Sequence, residues 1–357
     1  MKSAPAEAAG DVAARVVKWQ STEGRNHLPW QNTTDPYRVW LSEIMLQQTQ
    51  VLTVVGYFGR FLDRFPNVAA LAHGTLDEVL GLWSGLGYYS RARNLHRCAK
   101  QVVAVHGGAF PQDAETLQTL PGIGRSTAAA VASLCFGQRV AILDANVKRV
   151  VTRLLAFEGD LALAAAERAL WAAASGLLPS ATHAKACMPR YTQGMMDLGA
   201  MVCLPKKPLC DKCPVSSGCK AFAQGDPQRY PVRTRKLKRS SQSIWMLWAH
   251  TTQGAVWLAQ RPTPGVWAGL YSLPLYDSVQ ALEDTLPPPL KGQLQALPVF
   301  THVLTHKDLY LHVYKLSLPD TAMAWEAGRW VAAHDWPAMG LPAPVRKLLQ
   351  ASGSAQD

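Results

Sequence analysis

The chain has 357 residues, 48% of them hydrophobic, enough to build two ordinary cores. Lysine and arginine number 36 against 25 aspartate plus glutamate, and the net charge of +11 points to a polyanionic partner, nucleic acid first. Charges at Glu7, Asp11 and Arg15 leave no room for a signal peptide, no later stretch approaches a membrane span, and an odd total of seven cysteines argues against a secreted disulfide framework; the expected setting is a reducing, cytoplasmic one.

Helical periodicity dominates the first part of the chain. Asp35-Pro36 is a good helix start, followed by apolar residues at Val39, Trp40, Ile44, Val51, Val54, Val55 and Phe58. Within that run Glu43 is the only carboxylate between Asp35 and Asp63. Its helical neighbours are Val39, Trp40, Leu46 and Gln47, so no lysine or arginine pairs with it locally. An apolar setting disfavours the ionised form and raises the pKa, as a general acid working near neutrality needs; the ordinary alternative is a glutamate on an exposed stripe.

Leu120-Pro121-Gly122-Ile123-Gly124 then reads as a tight hairpin opening a helix from Arg125. Gly122 and Gly124 permit positive φ and close approach, so amides there can converge on a phosphate oxygen, unless this is only a helix connection with glycine caps. Asp144, the only carboxylate between Glu115 and Glu158, looks like the N-cap of the following helix. That position is compatible with a second role, an ionised carboxylate stabilising positive charge at a sugar's anomeric carbon, with pKa tendencies opposite to those of Glu43.

Four cysteines follow, Cys203, Cys210, Cys213 and Cys219, with six, two and five residues between them. One Cys-x-x-Cys flanked by wider gaps wraps thiolates around a compact object, read first as a [4Fe-4S] cluster with zinc as the alternative. Cys98, Cys135 and Cys187 sit in apolar helical stretches as core residues. A basic segment holding Arg229, Arg233, Arg235, Lys236, Lys238 and Arg239 reads as a linker able to track phosphates. Beyond it, Ile244–Trp248 and Ala255–Ala259 form an expected hairpin through Thr251-Thr252-Gln253-Gly254, and 299–305 pairs with 309–316 around His306-Lys307-Asp308. Helices are expected near 277–286 and 344–350, giving a small mixed sheet with helices.

These features together resemble the adenine DNA glycosylases of the MutY type, in the helix-hairpin-helix superfamily that includes endonuclease III. The likeness is carried by Leu28-Pro29-Trp30, Trp40 through Val51, Gly85 through Leu95, the hairpin at 120–124, Asp144 through Arg149, and Met195-Met196-Asp197-Leu198-Gly199-Ala200 leading into the cysteines. It implies an all-helical helix-hairpin-helix glycosylase domain over 1–225, with an iron-sulfur loop at 203–219, a basic linker at 226–241, and a small mixed α/β Nudix-like recognition domain over 242–357. The implied reaction is hydrolytic removal of adenine mispaired with 8-oxoguanine or guanine, from a flipped nucleotide, by a monomer acting on nucleoid DNA.

By the same resemblance, Glu43 protonates N7 of adenine, Asp144 stabilises the oxocarbenium-like sugar and Asn146 is a polar helper. Gln193 contacts the polar edge of the base, Leu28, Trp30 and Val51 form pocket walls, and Gln48 and Tyr88 enter the opened stack. Lys206 and Lys207 are expected on the phosphate backbone. Ser126 stands where bifunctional relatives carry a Schiff-base lysine, which implies a monofunctional glycosylase with little lyase activity. In the second domain no Nudix box of clustered glutamates is present, the nearest acidic pair being Glu283-Asp284. Leu304-Thr305-His306 replaces the family's usual Phe-Ser-His, leaving the Thr305 hydroxyl and His306 ring to read the lesion. Two other readings stay open: a bifunctional endonuclease III-like glycosylase/lyase acting on oxidised pyrimidines, and a non-catalytic DNA-binding iron-sulfur protein.

Overall fold

A computed structural model describes residues 6–234, 238–319, 323–325 and 327–353. The chain forms two compact units, one of residues 1–73 with 94–236 and the other of 74–93 with 237–357. Arg235 and Lys236 of the expected linker lie outside the described residues.

The first unit is helical. In chain order run α1 (Ala6–Glu23), α2 (Pro36–Leu46), α3 (Val51–Arg64) and α4 (Val68–His73), then α5 (Leu76–Leu82) of the second unit and α6 (Ser90–His106). α7 (Ala114–Leu117), α8 (Arg125–Phe136), α9 (Ala145–Leu155), α10 (Ala164–Ser175), α11 (Ala184–Met201) and α12 (Lys220–Ala223) follow. Asp35 caps α2, its carboxylate accepting the Tyr37 N–H at 2.9 Å, with Pro36 at the first helical position where a missing N–H costs nothing. The apolar run from Val39 to Phe58 is helical, as expected, and divides between two helices. It breaks at Gln47, and Gln48 turns the chain with φ 57° before α3 starts.

α11 is the axis of this unit. At Gly194 an added Cβ would lie 2.7 Å from Val16 of α1, and at Gly199 one would lie 2.6 Å from Asn146 of α9, so the two glycines let both neighbours approach closely. Around that contact Val16, Leu170, Met188, Leu198 and Val151 pack into one buried cluster. Trp40, Met45, Phe58 and Phe61 are each less than 2% exposed, and each such burial contributes roughly 1.5–3 kcal/mol.

The second unit is a mixed sheet with helices, as expected. Among the described residues it has eight strands: β1 (Ser240–Thr251), β2 (Val256–Gln260), β3 (Tyr271–Ser272), β4 (Leu275–Tyr276), β5 (Gln295–Ala296), β6 (Phe300–Val303), β7 (Lys307–Leu318) and β8 (Arg329–Val331). β1 and β7 run parallel from Ser240 opposite Lys307 to Thr251 opposite Leu318, and the other pairings are antiparallel. The expected hairpins are β1 with β2 and β6 with β7. Helices α13 (Val279–Glu283), α14 (Pro288–Lys291) and α15 (Ala343–Gly353) complete the unit. Strand alternation gives the sheet two apolar faces: Ile244, Met246 and Trp248 pack with Leu309, Leu311 and Val345 of α15, while Leu247 and Ala249 pack with Leu316 and Leu282 of α13. Among the described residues no helix is long and apolar enough to cross a membrane.

Candidate active site

Glu43 lies near the middle of α2, among the buried residues Val39, Trp40, Ile44 and Met45. Its pKa is pushed up to about 7, chiefly by burial and then by the neighbouring Asp144 carboxylate, with Arg25 pulling it back. The direction of the shift is the one a general acid working near neutrality needs. Arg25 was not among the residues singled out in the sequence. It reaches the site from the segment after α1, held by Asp197: its Nε and backbone N–H donate to the two carboxylate oxygens at 2.7 and 3.0 Å.

Asp144 is the N-cap of α9, its Oδ1 accepting the Val147 N–H at 2.7 Å. Contrary to the opposite tendencies expected of the two carboxylates, Asp144 is also shifted upward, because it too is buried. The amides of Val147 and Asn146 and the charges of Arg149 and Lys148 oppose that shift. Asn146 Oδ1 accepts from Arg149, whose guanidinium also donates to the carbonyls of Cys203 and Gly199. Ser126 Oγ accepts the Leu143 N–H at 3.2 Å, which fixes the segment leading to Asp144.

A cavity of about 330 Å³ is lined by Trp30, Gln31, Arg25, Val39 and Gln193 among others; Glu43, Asp144 and Asn146 are not part of its lining. Val39 stands one helical turn before Glu43 on the same face of α2. Of the expected pocket walls, Trp30 lines the cavity and packs edge-on against Phe58 at 5.4 Å between centroids. Leu28 and Val51 do not line it; Leu28 is buried and Val51 opens α3.

Three of the expected nucleic-acid contacts share one backbone feature. Six non-glycine residues among those described have positive φ, and three of them are Gln48, Tyr88 and Lys207. Such conformations cost about 1 kcal/mol or more and concentrate at functional sites. Gln48, Lys206 and Lys207 are exposed, and Tyr88 is 42% exposed. In the hairpin Gly122 has φ 77°, and a Cβ there would strike Asn94 at 2.6 Å. Gly124 differs from expectation: it caps α8 with φ −81°, and a Cβ would meet nothing within 4 Å. One glycine is demanded by backbone and packing, the other leaves the helix N-terminus open.

Within the second unit, Thr305 and His306 are exposed on the turn between β6 and β7. Arg239 donates to the carbonyls of Leu304 and Thr305 at 3.0 and 2.9 Å, and the Tyr88 hydroxyl lies 2.6 Å from Thr305 Oγ1. Leu304 packs against the core of this unit. Of the other linker cations, Arg229 pairs with Glu158 while Arg233 and Lys238 are exposed.

Cys203, Cys210, Cys213 and Cys219 line one cavity of about 30 Å³. Among the described residues no three metal-ligating side chains converge on a single ion. Beside the cysteines Arg153 is only 2% exposed, yet no carboxylate pairs with it among the described residues. Its guanidinium donates to the carbonyls of Leu204, Pro205 and Tyr230 and lies 3.4 Å from Cys203 Sγ. A buried cation in that position suits an anionic group held by the four thiolates.

Residues 41–174 match the HhH-GPD superfamily of base excision DNA repair proteins, and residues 245–351 match the NUDIX domain. Along most of its length the chain is similar to the adenine DNA glycosylase of Buchnera aphidicola subsp. Schizaphis graminum, at 32% identity with 94% of this chain and 96% of that protein covered. It is similar to the adenine DNA glycosylase of Mus musculus at 34% identity, over 95% of this chain and 78% of that protein. Among solved structures it resembles a thermostable thymine-DNA glycosylase, with a TM-score of 0.53 and 28% identity over 61% of this chain and 98% of that one.

Proposed function

Because the chain belongs to the adenine DNA glycosylase family, we propose that it hydrolyses the N-glycosidic bond of adenine mispaired with 8-oxoguanine or guanine in duplex DNA. The observation that carries this reading is Glu43, a half-buried carboxyl whose pKa is pushed up to about 7, with the half-buried Asp144 carboxylate near enough to add to that shift. Adenine leaves poorly as an anion. Protonation of N7 by Glu43 makes the departing base neutral, and the C–N electron pair goes with it. The sugar is left with positive charge at the anomeric carbon, which Asp144 faces as a fixed carboxylate until water adds there. Once ionised, Glu43 can take the proton that this water gives up.

The other assignments follow from this reaction. Flipping exposes the anomeric carbon, and Gln48 and Tyr88, already held in strained turns, fill the vacated stack. Gly124, Lys206 and Lys207 take phosphates, and Thr305 with His306 reads the opposite base. Ser126 cannot form a Schiff base, and its hydroxyl is engaged by the Leu143 amide, which supports base removal without strand cleavage. Cys203, Cys210, Cys213 and Cys219 hold a [4Fe-4S] cluster. A cubane needs its thiolates spread around a volume rather than meeting at a point, and Arg153 offsets its negative charge. The cluster supplies no hydrolytic chemistry, since four protein ligands leave it no open position.

Duplexes carrying A:8-oxoguanine, A:G, A:T and an oxidised pyrimidine, each assayed with and without alkali, test the proposal. It predicts cleavage of the adenine strand only after alkali, fastest opposite 8-oxoguanine. Nicking of the pyrimidine strand without alkali would favour the bifunctional alternative, and no base release from any duplex would favour a non-catalytic binder.

A further inference from the structure

Residues 74–93 interrupt the first unit in sequence but pack with the second. Their helix α5 lies hard against the stretch between β8 and α15: a Cβ at Gly81 would fall 2.0 Å from the Ala338 carbonyl oxygen, and one at Gly340 would fall 2.6 Å from Leu80. Polar contacts close the same joint. The Leu341 carbonyl accepts from the Ser84 hydroxyl at 3.1 Å and from the Tyr89 hydroxyl at 2.9 Å. Arg346 of α15 donates from Nε to Ser84 Oγ at 2.9 Å, and its two Nη atoms donate to the carbonyls of Pro337 and Met339 at 3.0 and 2.7 Å. At the end of the segment Arg93 donates to the Ala268 carbonyl at 2.6 Å.

The turn that presents Tyr88 is braced from within. Arg91 is buried, donates to the carbonyls of Leu86 and Gly87, and lies over the Tyr88 ring at 5.5 Å, where Tyr88 has φ 49°. The Tyr88 hydroxyl meets Thr305 Oγ1 on the exposed turn between β6 and β7. Water competes for both of those groups, so that contact alone holds little. The part-buried joint of 80–84 with 338–346 is what can fix the spacing. From this we infer that 74–93 is an arm of the second unit, with Ser84 and Arg346 as positioning residues that keep Tyr88 in register with the turn at Thr305 and His306. Stack entry by Tyr88 and reading of the opposite base then become one engagement, and hydrogen bonds that the turn gains at 8-oxoguanine offset the cost of driving Tyr88 into the stack. With guanine opposite, that help is smaller. The inference rests on the adenine reading above and goes beyond it by tying the preference for the opposite base to a joint remote from either base.

The test compares single-turnover adenine release from duplexes with 8-oxoguanine and with guanine opposite, in wild type, Arg346→Met and Ser84→Ala. Methionine keeps much of the arginine stem and removes its donors, while alanine removes the hydroxyl that links Arg346 to Leu341. Each variant is expected to lower the ratio of release opposite 8-oxoguanine to release opposite guanine by at least about fivefold, the low end of a coupling between two sites. Hydrogen exchange of the amides over 76–89 should quicken in both variants, with β1 and β7 as in wild type. Adding Arg346→Met to Tyr88→Ala should change the ratio no further, because Arg346 acts through Tyr88. An unchanged ratio in both variants overturns the inference, as does an equal loss on both duplexes, which a merely structural role predicts. If Arg346→Met does not fold, Ser84→Ala decides alone. A wild type that releases no adenine would overturn the proposed function and the coupling with it, whereas unchanged exchange over 76–89 would overturn the arm alone.

Discussion

Glu43 carries the conflict on which the chemistry depends. In the unfolded chain it titrates near 4.5 and in the fold near 7, so between those values the native state binds more protons. Stability is then fully retained below the lower value and declines as pH rises through the window, the direction expected of an acid whose folded pKa is raised. Glu43→Gln removes the buried charge. It should stabilise the protein by on the order of 1–3 kcal/mol at about pH 8 and by nothing at about pH 4, as read from urea denaturation; equal effects at both would show that Glu43 is not titrating in the fold. The isolation of Glu43 was legible because helical neighbours are local in sequence. Arg25 and Asp197 were not, since their pairing spans 172 positions and leaves no periodic trace. The cap at Asp144 was legible for the same local reason as Glu43, but its upward shift was not, because burial depends on the tertiary fold rather than on sequence neighbours.

At the level of elements, caps and turns were readable where a special residue marks them. Asp35-Pro36, the hairpin glycines and the β1–β2 turn at Gly254 all do so. The break between α2 and α3 was hidden, because Gln48 adopts φ 57° without being glycine, and strain of that kind has no sequence signature. Nor does any local pattern announce the parallel pairing of β1 with β7, whose partners lie far apart in the chain. The two hairpin glycines should separate structure from binding. Gly122→Ala forces a Cβ into Asn94 at positive φ and should cost roughly 1–3 kcal/mol in thermal or chemical unfolding. Gly124→Ser meets open space and suits an N-cap, so stability should stay within about 0.5 kcal/mol while duplex affinity falls. Equal losses of stability would contradict the distinction.

Across the whole molecule the charge of +11 is the broadest clue, and its use is narrower than the total suggests. Arg229 pairs with Glu158, and Arg239 with Asp308 and the loop carbonyls, whereas Lys206 and Lys207 stand exposed in the cysteine loop. Replacing both lysines by alanine should reduce the slope of log affinity against log salt by roughly 1.8, at 0.9 per phosphate contact; an unchanged slope would take them off the backbone. Composition and the change of texture after the cysteines made a helical unit and a sheet unit legible, but the packing of 74–93 with the second unit depends on long-range contacts that composition does not encode. Release of adenine through a neutral Glu43 is the central step of the proposed reaction. The deciding measurement is free adenine, quantified under single turnover from an A:8-oxoguanine duplex across pH, for wild type and Glu43→Gln. A wild-type rate that falls above a pH of about 7, with release abolished in the variant, is the predicted result; adenine release by Glu43→Gln at the wild-type rate would contradict it.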